Sequence, residues 1–366
     1  MDNREIIQKK ALDASLKQNR SGLDISMGVG KTRIAIQHLM VNYDPFIQVL
    51  VVIPKLSIKD SWFTELDKMN LSGIKEHITF TTYLSLNKKD PNGYDVVYLD
   101  ECHNLLYKHK TFLEQYQGII LGLTGTAPIR KLTEKHDMVA KFCPIVYKFS
   151  VDDATDSNIL NNYKIIIHEI SLSKELTLKK KTKAGGHWYS SEVKDYKYCN
   201  QRMDDANTPK QQQFAAIMRM RALMSYNSKE FYAKTLLKNI SDKCIIFANT
   251  KEQADKLCKH SYHSGNPSSE YNLELFSDGR IDKLSCVLQL SEGVTIPDLK
   301  QGIILHAYGN NRKSAQRIGR LLRLNPSDTA VCHILCYKNT QDENWVKTAL
   351  KDFNQSKIKY FNPLDK

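Results

Sequence analysis

The sequence lacks the long apolar stretches that cross membranes. None of its apolar runs approaches the roughly 20 residues that a transmembrane helix needs, and residues 1–5 lack the apolar core of a signal peptide. We therefore expect no contact with a membrane and a cytoplasmic location, which is the host cytoplasm if the protein is viral.

The sequence also lacks any Cys-x-x-Cys pair. Its eight cysteines are scattered, and several stand inside apolar, strand-like runs. A zinc site or a disulfide framework is therefore not expected, and reduced thiols in a cytosolic setting are the plain interpretation.

Acidic residues are fewer than basic ones, 40 against 53, which leaves a formal net charge of +13. This excess favours a polyanionic partner, although a lysine-rich surface without a specific partner explains the charge equally well. The length of 366 residues predicts two domains or slightly more.

Glycines are sparse, but two of them fall in a stretch at residues 26–33 that joins a strand-like run to a helical pattern. Backbone N–H groups at a helix N-terminus point at an anion, and glycines let the chain approach it closely. Lys31 would reach the β- and γ-phosphates of a nucleotide, and the Thr32 hydroxyl would bind Mg²⁺. Ile25 stands where the full pattern has a small residue, so a glycine turn before an amphipathic helix is the alternative. The candidate nucleotide-binding residues here are Met27, Gly28, Val29, Gly30, Lys31, Thr32 and Arg33.

A helix is predicted over residues 1–20, upstream of this stretch. Gln8 lies in it and could read an adenine edge through its side-chain amide. A solvent-facing glutamine is the alternative.

Two carboxylates, Asp100 and Glu101, follow an apolar strand-like run. Parallel α/β sheets place their ligands at the carboxyl ends of strands. We assign Asp100 to Mg²⁺ and Glu101 to the general base that accepts a proton from the attacking water. An acidic pair that merely caps a helix is the alternative.

Three arginines, Arg317, Arg320 and Arg323, recur every third residue and fall on one side of a predicted helix. Guanidinium groups fixed on one face suit the charge that develops on a transferring γ-phosphoryl group. The alternative is an exposed basic face, but Gln316 and Gly319 interleave with the arginines.

Strand-like runs alternate with helical patterns in both halves of the chain, which predicts an α/β fold with parallel sheets. We predict a first domain at 1–150, a polar linker at 151–164 and a second domain at 165–366, with a basic, irregular insertion near 174–205. The lysine run 179–183 in that insertion is typical of a solvated face, although a basic loop beside aromatics can touch a nucleic-acid strand.

Together these segments resemble the motifs of superfamily 2 helicases and stand in the family's order. They are 28–32 (motif I), 100–103 (II), 124–127 (III), 246–250 (IV), 292–297 (V) and 316–323 (VI). Residues 27–32, Pro54 with Trp62 and Glu65, and residues 123–128 resemble the Swi/Snf-like translocases, and compact phage helicases of the UvsW kind are similar too. Residues 100–103 would then be a DECH box.

The resemblance implies two tandem RecA-like domains with ATP and Mg²⁺ in the cleft between them. Arg320 and Arg323 would act as arginine fingers, while Gly293 and Gln316 would also bind the nucleotide, and Thr124 and Thr126 would couple the nucleotide to the strand-binding surface. The residues implied to contact nucleic acid are Pro54, Lys55, Thr81, Thr82, Thr124, Thr126, Asn249, Thr250 and Thr295. The chain departs from the pattern at Ile25, at Thr295, where many relatives have Asp, and in having no arginine three residues before Gln8.

We therefore expect an ATP-dependent helicase or translocase that acts on duplex or branched DNA in replication, recombination or repair. DNA is preferred over RNA, but Cys102 also occurs in RNA-directed relatives, so an RNA helicase is an alternative. A nucleic-acid clamp without productive turnover is another, as is a subunit of a restriction or transcription complex. We expect a monomer, with any protein partner on a separate chain.

Overall fold

A computed structural model describes residues 2–128, 130–182, 185–287, 296–307, 318, 321 and 327–363. The chain divides into two compact units, one formed by the residues up to Asn162 and one that begins at Tyr163. The predicted fold class is confirmed, because each unit is built on a parallel sheet flanked by helices.

The first unit contains a six-stranded sheet in the order β3-β2-β4-β5-β1-β6, with every neighbouring pair parallel. Its strands are β1 (Arg20–Ile25), β2 (Val49–Ile53), β3 (Ile78–Thr82), β4 (Val96–Asp100), β5 (Ile119–Thr124) and β6 (Ile145–Phe149). All residues of β2 and β4 are buried, as expected for inner strands covered on both faces.

Helices flank this sheet. They are α1 (Asn3–Ser15), α2 (Lys31–Val41), α3 (Lys59–Lys68), α4 (Lys110–Gln115), α5 (Glu134–Phe142) and α6 (Val151–Asp156). Short 3₁₀ helices are found at Leu56–Ile58, Ser72–His77, Tyr83–Lys88, Pro91–Gly93, Cys102–Asn104 and Tyr107–His109. Asp2 and Glu5 form a capping box that starts α1, where the sequence has the acidic residues that favour a helix N-terminus.

The second unit contains a seven-stranded sheet in the order β11-β12-β10-β13-β14-β7-β15. Its strands are β7 (Asn162–Ile170), β10 (Cys244–Phe247), β11 (Ser261–Tyr262), β12 (Lys283–Cys286), β13 (Gln301–Ile304), β14 (Thr329–Tyr337) and β15 (Ile358–Phe361). The helices are α7 (Glu192–Asp204), α8 (Pro209–Ser225), α9 (Asn227–Lys238), α10 (Lys251–Leu257), α11 (Ser269–Ser277) and α12 (Gln341–Leu350), with a 3₁₀ turn at Gln355–Lys357.

Residues 174–205 are not irregular, contrary to the prediction. They form an antiparallel hairpin of β8 (Leu178–Lys181) and β9 (His187–Ser190), followed by α7. The sequence did not reveal this hairpin because its strands are only four residues long, mostly exposed and rich in basic and aromatic residues, so they show no apolar alternation. The polar segment 151–164 contains α6 and the start of β7, and the division of the chain into two units falls within it, after Asn162.

Across the ranges that the structure describes, none of the helices combines the length and the apolar character needed to span a bilayer.

Candidate functional site

The loop between β1 and α2 has the backbone that a phosphate cradle requires. Gly28 and Gly30 have φ values of +88° and +105°, in the left-handed region that favours glycine. Gly30 is the N-cap of α2, and no side chain forms a capping hydrogen bond there. The first N–H groups of α2 are therefore left for another acceptor, and an anion suits the positive end of the helix dipole.

Gln8 braces this loop from α1. Its side chain is 3% exposed, and its Nε2 donates a hydrogen bond to the Val29 carbonyl at 2.8 Å. A Cβ atom added to Gly30 would lie only 2.5 Å from the same Nε2. The solvent-facing alternative for Gln8 is therefore wrong, while its contact with adenine stays a prediction.

Lys31 begins α2 and Asp100 ends β4, and the charge of Lys31 acts on the buried Asp100 carboxyl. Lys31 Nζ donates to the Ile25 carbonyl at 3.3 Å, and the Trp62 indole donates to Asp100 Oδ2 at 3.4 Å. Burial raises the pKa of the Asp100 carboxyl, while the charge of Lys31 and the Trp62 hydrogen bond oppose that rise. A buried carboxylate is stabilised by nearby cations, which suits the Mg²⁺ binding predicted for Asp100.

The surroundings of Lys31 also fit a bound phosphate chain and its metal. The buried hydroxyls of Ser26 and Thr126 have no hydrogen-bond partner in the part of the chain that the structure describes. A Cβ atom added to Gly125, after β5, would lie 3.3 Å from Lys31 Nζ, so the backbone there approaches the lysine closely. Thr32 is half-buried in the first turn of α2. The site thus offers a lysine, hydroxyls and a buried carboxylate, the groups that hold phosphate and Mg²⁺.

Glu101 directly follows β4 and adopts the left-handed backbone, with φ of 53° and ψ of 54°. Such a conformation is uncommon for a residue other than glycine, and it clusters at functional sites. His103 Nδ1 lies 3.3 Å from Glu101 Oε2 and 2.9 Å from Thr124 Oγ1. Thr124 Oγ1 in turn accepts a hydrogen bond from the Thr126 backbone N–H at 3.1 Å.

This chain of contacts connects Glu101 with Thr124, the last residue of β5, and with Thr126 beyond it. Thr124 is completely buried, so its hydroxyl cannot reach a nucleic-acid strand as it stands, and coupling is the role that its position offers. His103 belongs to the DECH box and Trp62 to the Swi/Snf-like residues, but the sequence assigned neither of them a chemical role. Their hydrogen bonds with Thr124 and Asp100 become apparent only in the structure.

The other residues predicted to contact nucleic acid lie at or just after the ends of strands. Lys55 is exposed after β2, next to half-buried Pro54, while Thr81 is buried in β3 and Thr82 is half-buried at its end. Asn249 is half-buried after β10, and Thr250 caps α10 by accepting a hydrogen bond from the Gln253 N–H at 3.2 Å. As the structure stands, Lys55, Thr82 and Thr250 are accessible and Thr81 is not.

The remaining predicted site residues lie outside the described residues. They are Gly293, Thr295, Gln316, Arg317, Arg320 and Arg323.

Two family matches fall on the two units. Residues 3–129 match the family described as "Type III restriction enzyme, res subunit", and residues 228–325 match "Helicase conserved C-terminal domain". The chain belongs to the superfamily 2 helicases.

Among its relatives, this superfamily 2 helicase is similar to the DNA 3'-5' translocase XPB2 of Sulfurisphaera tokodaii. The two are 25% identical over 370 residues, which cover 92% of this chain and 82% of the relative.

Solved structures with the same fold include an ATP-dependent Type ISP restriction-modification enzyme, LlaBIII, bound to DNA. It has a TM-score of 0.66 and 14% identity, and the match covers 99% of this chain but only 31% of that one. S. cerevisiae Dbp5 bound to RNA and ADP BeF3 has a TM-score of 0.57 and 14% identity, with 97% of this chain and 89% of that one covered. These likenesses show a shared fold of two tandem RecA-like domains.

Proposed function

We propose that this superfamily 2 helicase is an ATP-dependent DNA helicase or translocase that acts on duplex or branched DNA. The proposal rests on the glycine loop before an α2 N-terminus without a side-chain cap, with the backbone at Gly125 close to Lys31 Nζ and a buried carboxylate at Asp100. A cation, a dry carboxylate and free helix N–H groups together are suited to a nucleoside triphosphate and its metal.

Each residue of the site has a definite task. The N–H groups at the start of α2 and Lys31 hold the β- and γ-phosphates, and Thr32 and Asp100 hold Mg²⁺. Glu101 orients the attacking water and accepts its proton. Arg320 and Arg323 act as arginine fingers that stabilise charge on the γ-phosphoryl group. ATP supplies the phosphoanhydride bond whose hydrolysis drives movement.

The contacts around His103 give the site a means of reporting its state. A change in charge at Glu101 is felt by the His103 ring and, through Thr124, by the backbone at Thr126. Lys55, Thr82, Asn249, Thr250 and Thr295 then grip the phosphate backbone. Contacts of this kind make binding salt-dependent and largely independent of base sequence.

DNA is the favoured substrate because the relative with 25% identity is named a DNA translocase. Structures that share the fold were solved with DNA and with RNA, so RNA is the alternative. Within the superfamily, the Swi/Snf-like or UvsW-like branch remains a prediction from the motif residues. We propose a monomer in the cytoplasm, with any protein partner on a separate chain.

The decisive experiment measures ATP hydrolysis alone and with single-stranded DNA, duplex DNA, forked DNA or RNA. We expect the strongest stimulation by duplex or forked DNA, and RNA as the best activator would reverse the substrate assignment. Lys31→Ala and Glu101→Gln should abolish turnover and leave DNA binding largely intact. Turnover at the wild-type rate in either variant contradicts the site, and tight DNA binding without any wild-type turnover identifies a clamp.

A further inference from the structure

The β8–β9 hairpin presents two faces of different character. In an antiparallel pair, residues directly opposite each other lie on the same face. Lys179 pairs with Tyr189 and Lys181 with His187, so these four side chains share one face. Lys180 and Trp188 are paired on the opposite face.

Charge distinguishes the two faces. Lys180 Nζ forms an ion pair with Asp195 of α7 at 2.7 Å, which neutralises its face. Lys179 and Lys181 are exposed, and neither has an acidic partner among the residues that the structure describes. Two uncompensated positive charges thus stand on the face that carries Tyr189.

The spacing of these side chains suits an extended polyanion. Lys179 and Lys181 are two residues apart on a strand, which is about 6.6 Å, comparable with the separation of consecutive phosphates in an extended single strand. Tyr189 is 56% exposed directly across from Lys179. An exposed aromatic ring beside lysines is the combination on which unpaired bases stack while their phosphates are held.

We propose that Lys179, Lys181 and Tyr189 form a contact site for a single-stranded segment of nucleic acid. The lysines bind consecutive phosphates, and the Tyr189 ring stacks on an unpaired base. The site is additional to the motif residues of the two units. The inference rests on the proposed function, because it requires that the chain acts on nucleic acid.

The test compares Tyr189→Ala, Tyr189→Phe and the double variant Lys179→Ala/Lys181→Ala in binding a labelled oligothymidylate. Tyr189→Ala should weaken binding by about 5- to 150-fold, the range for one stacked base, and Tyr189→Phe should restore it. Removing both lysines should reduce the slope of log affinity against log salt by about 1.4, that is, two contacts at roughly 0.7 each. A duplex of equal length should lose affinity in the lysine variant but not in Tyr189→Ala.

Strand β15 provides matched controls. Tyr360 is 57% exposed and follows the exposed Lys359, so Tyr360→Ala and Lys359→Ala remove the same chemistry from another strand. Neither substitution should change binding by more than twofold. Trp188 is 50% exposed on the other face of the hairpin, and Trp188→Ala should likewise leave binding within twofold of the wild type. Losses in these controls equal to those of Tyr189→Ala would overturn the proposal.

A measurement on the unaltered protein covers the case in which a variant fails to fold. Photo-crosslinking of an oligonucleotide that contains iododeoxyuridine should label the peptide with Tyr189, and labelling only elsewhere contradicts the site. Failure of the inference is distinct from failure of the proposed function. If wild-type ATP hydrolysis is stimulated by DNA while Tyr189→Ala binds normally, only the hairpin site is lost, whereas wild-type protein that neither binds nor responds to nucleic acid refutes both.

Discussion

The side-chain amide of Gln8 and the carbonyl of Val29 are joined by a buried hydrogen bond of 2.8 Å. This bond attaches α1 to the loop whose N–H groups are proposed to hold phosphate. Because the loop carries two glycines in left-handed conformations, it has few side chains of its own to fix it. A contact from α1 therefore contributes to holding the cradle in its binding conformation.

Gln8→Ala should raise the KM for ATP and for GTP. The hydrogen bond contributes about 0.5–1.5 kcal/mol, so we expect a rise of roughly two- to tenfold for both nucleotides. The rise for GTP measures the contact with the loop, and any additional rise for ATP measures the predicted contact with adenine. Gln117→Ala, which removes an exposed amide, is the control. A KM for GTP that stays at its wild-type value would show that Gln8 does not hold the loop.

Arg320→Ala should lower ATP turnover by about three to five orders of magnitude, since a full arginine finger has an effect of that size. The measurement is kcat at saturating ATP and DNA. Arg280→Ala is the control, because the Arg280 guanidinium is held by Glu274 and Asp278 on an exposed surface. A loss smaller than tenfold would favour the alternative that Arg317, Arg320 and Arg323 are exposed basic residues without a role in catalysis.

Three buried histidines make stability depend on pH. Burial lowers the pKa of His38, His168 and His333 to about 4 each, with His333 adding to the effect at His168. Between pH 4 and the unfolded value near 6.5, the unfolded chain binds protons that the folded chain does not, so stability falls as the pH drops through this window. Above pH 6.5, these histidines do not change the free energy of unfolding further. Near pH 4, each of them lowers the free energy of unfolding by roughly 3 kcal/mol.

The first unit allows this dependence to be measured at a single site. His38 Nδ1 is 3.0 Å from the Tyr98 hydroxyl, and Gln can keep that hydrogen bond without titrating. In the His38→Gln variant, the urea midpoint of unfolding should depend less on pH between about pH 7 and pH 5. Unfolding is followed by Trp62 fluorescence in a Trp188→Phe/Trp345→Phe background. The more accessible His136→Gln is the control. Equal pH dependence in the wild type and His38→Gln would contradict the assignment.

The sequence was most informative where burial is continuous. β2 and β4 are apolar runs that read as inner parallel strands, and the phosphate loop and acidic pair follow from short motifs. β6 was missed because four of its five residues are not fully buried, so it has no continuous apolar run.

Lys229 shows a different limit of prediction from sequence. A lysine in a helix is expected in solvent, yet it is buried against Asp342, which stands 113 residues later.

The Lys229–Asp342 ion pair lies inside the second unit, with both side chains 1% exposed. Lys229 Nζ also donates to the Leu305 carbonyl at 2.9 Å, and Asp342 Oδ2 accepts from the Tyr337 N–H at 2.9 Å. Removing one partner leaves a buried charge uncompensated, which costs about 3–5 kcal/mol. We therefore expect Lys229→Met and Asp342→Leu each to destabilise the protein by that amount in urea unfolding.

The double variant distinguishes a coupled pair from two separate defects. It removes both charges, so it should be more stable than either single variant, but less stable than the wild type because Leu305 and Tyr337 lose their partners. The exposed pair of Lys347 and Glu343 provides the control cycle, in which surface ion pairs contribute about 0–1 kcal/mol. If the stability losses of the two single variants simply added up in the double variant, Lys229 and Asp342 would not be energetically coupled. The losses would then come from packing alone.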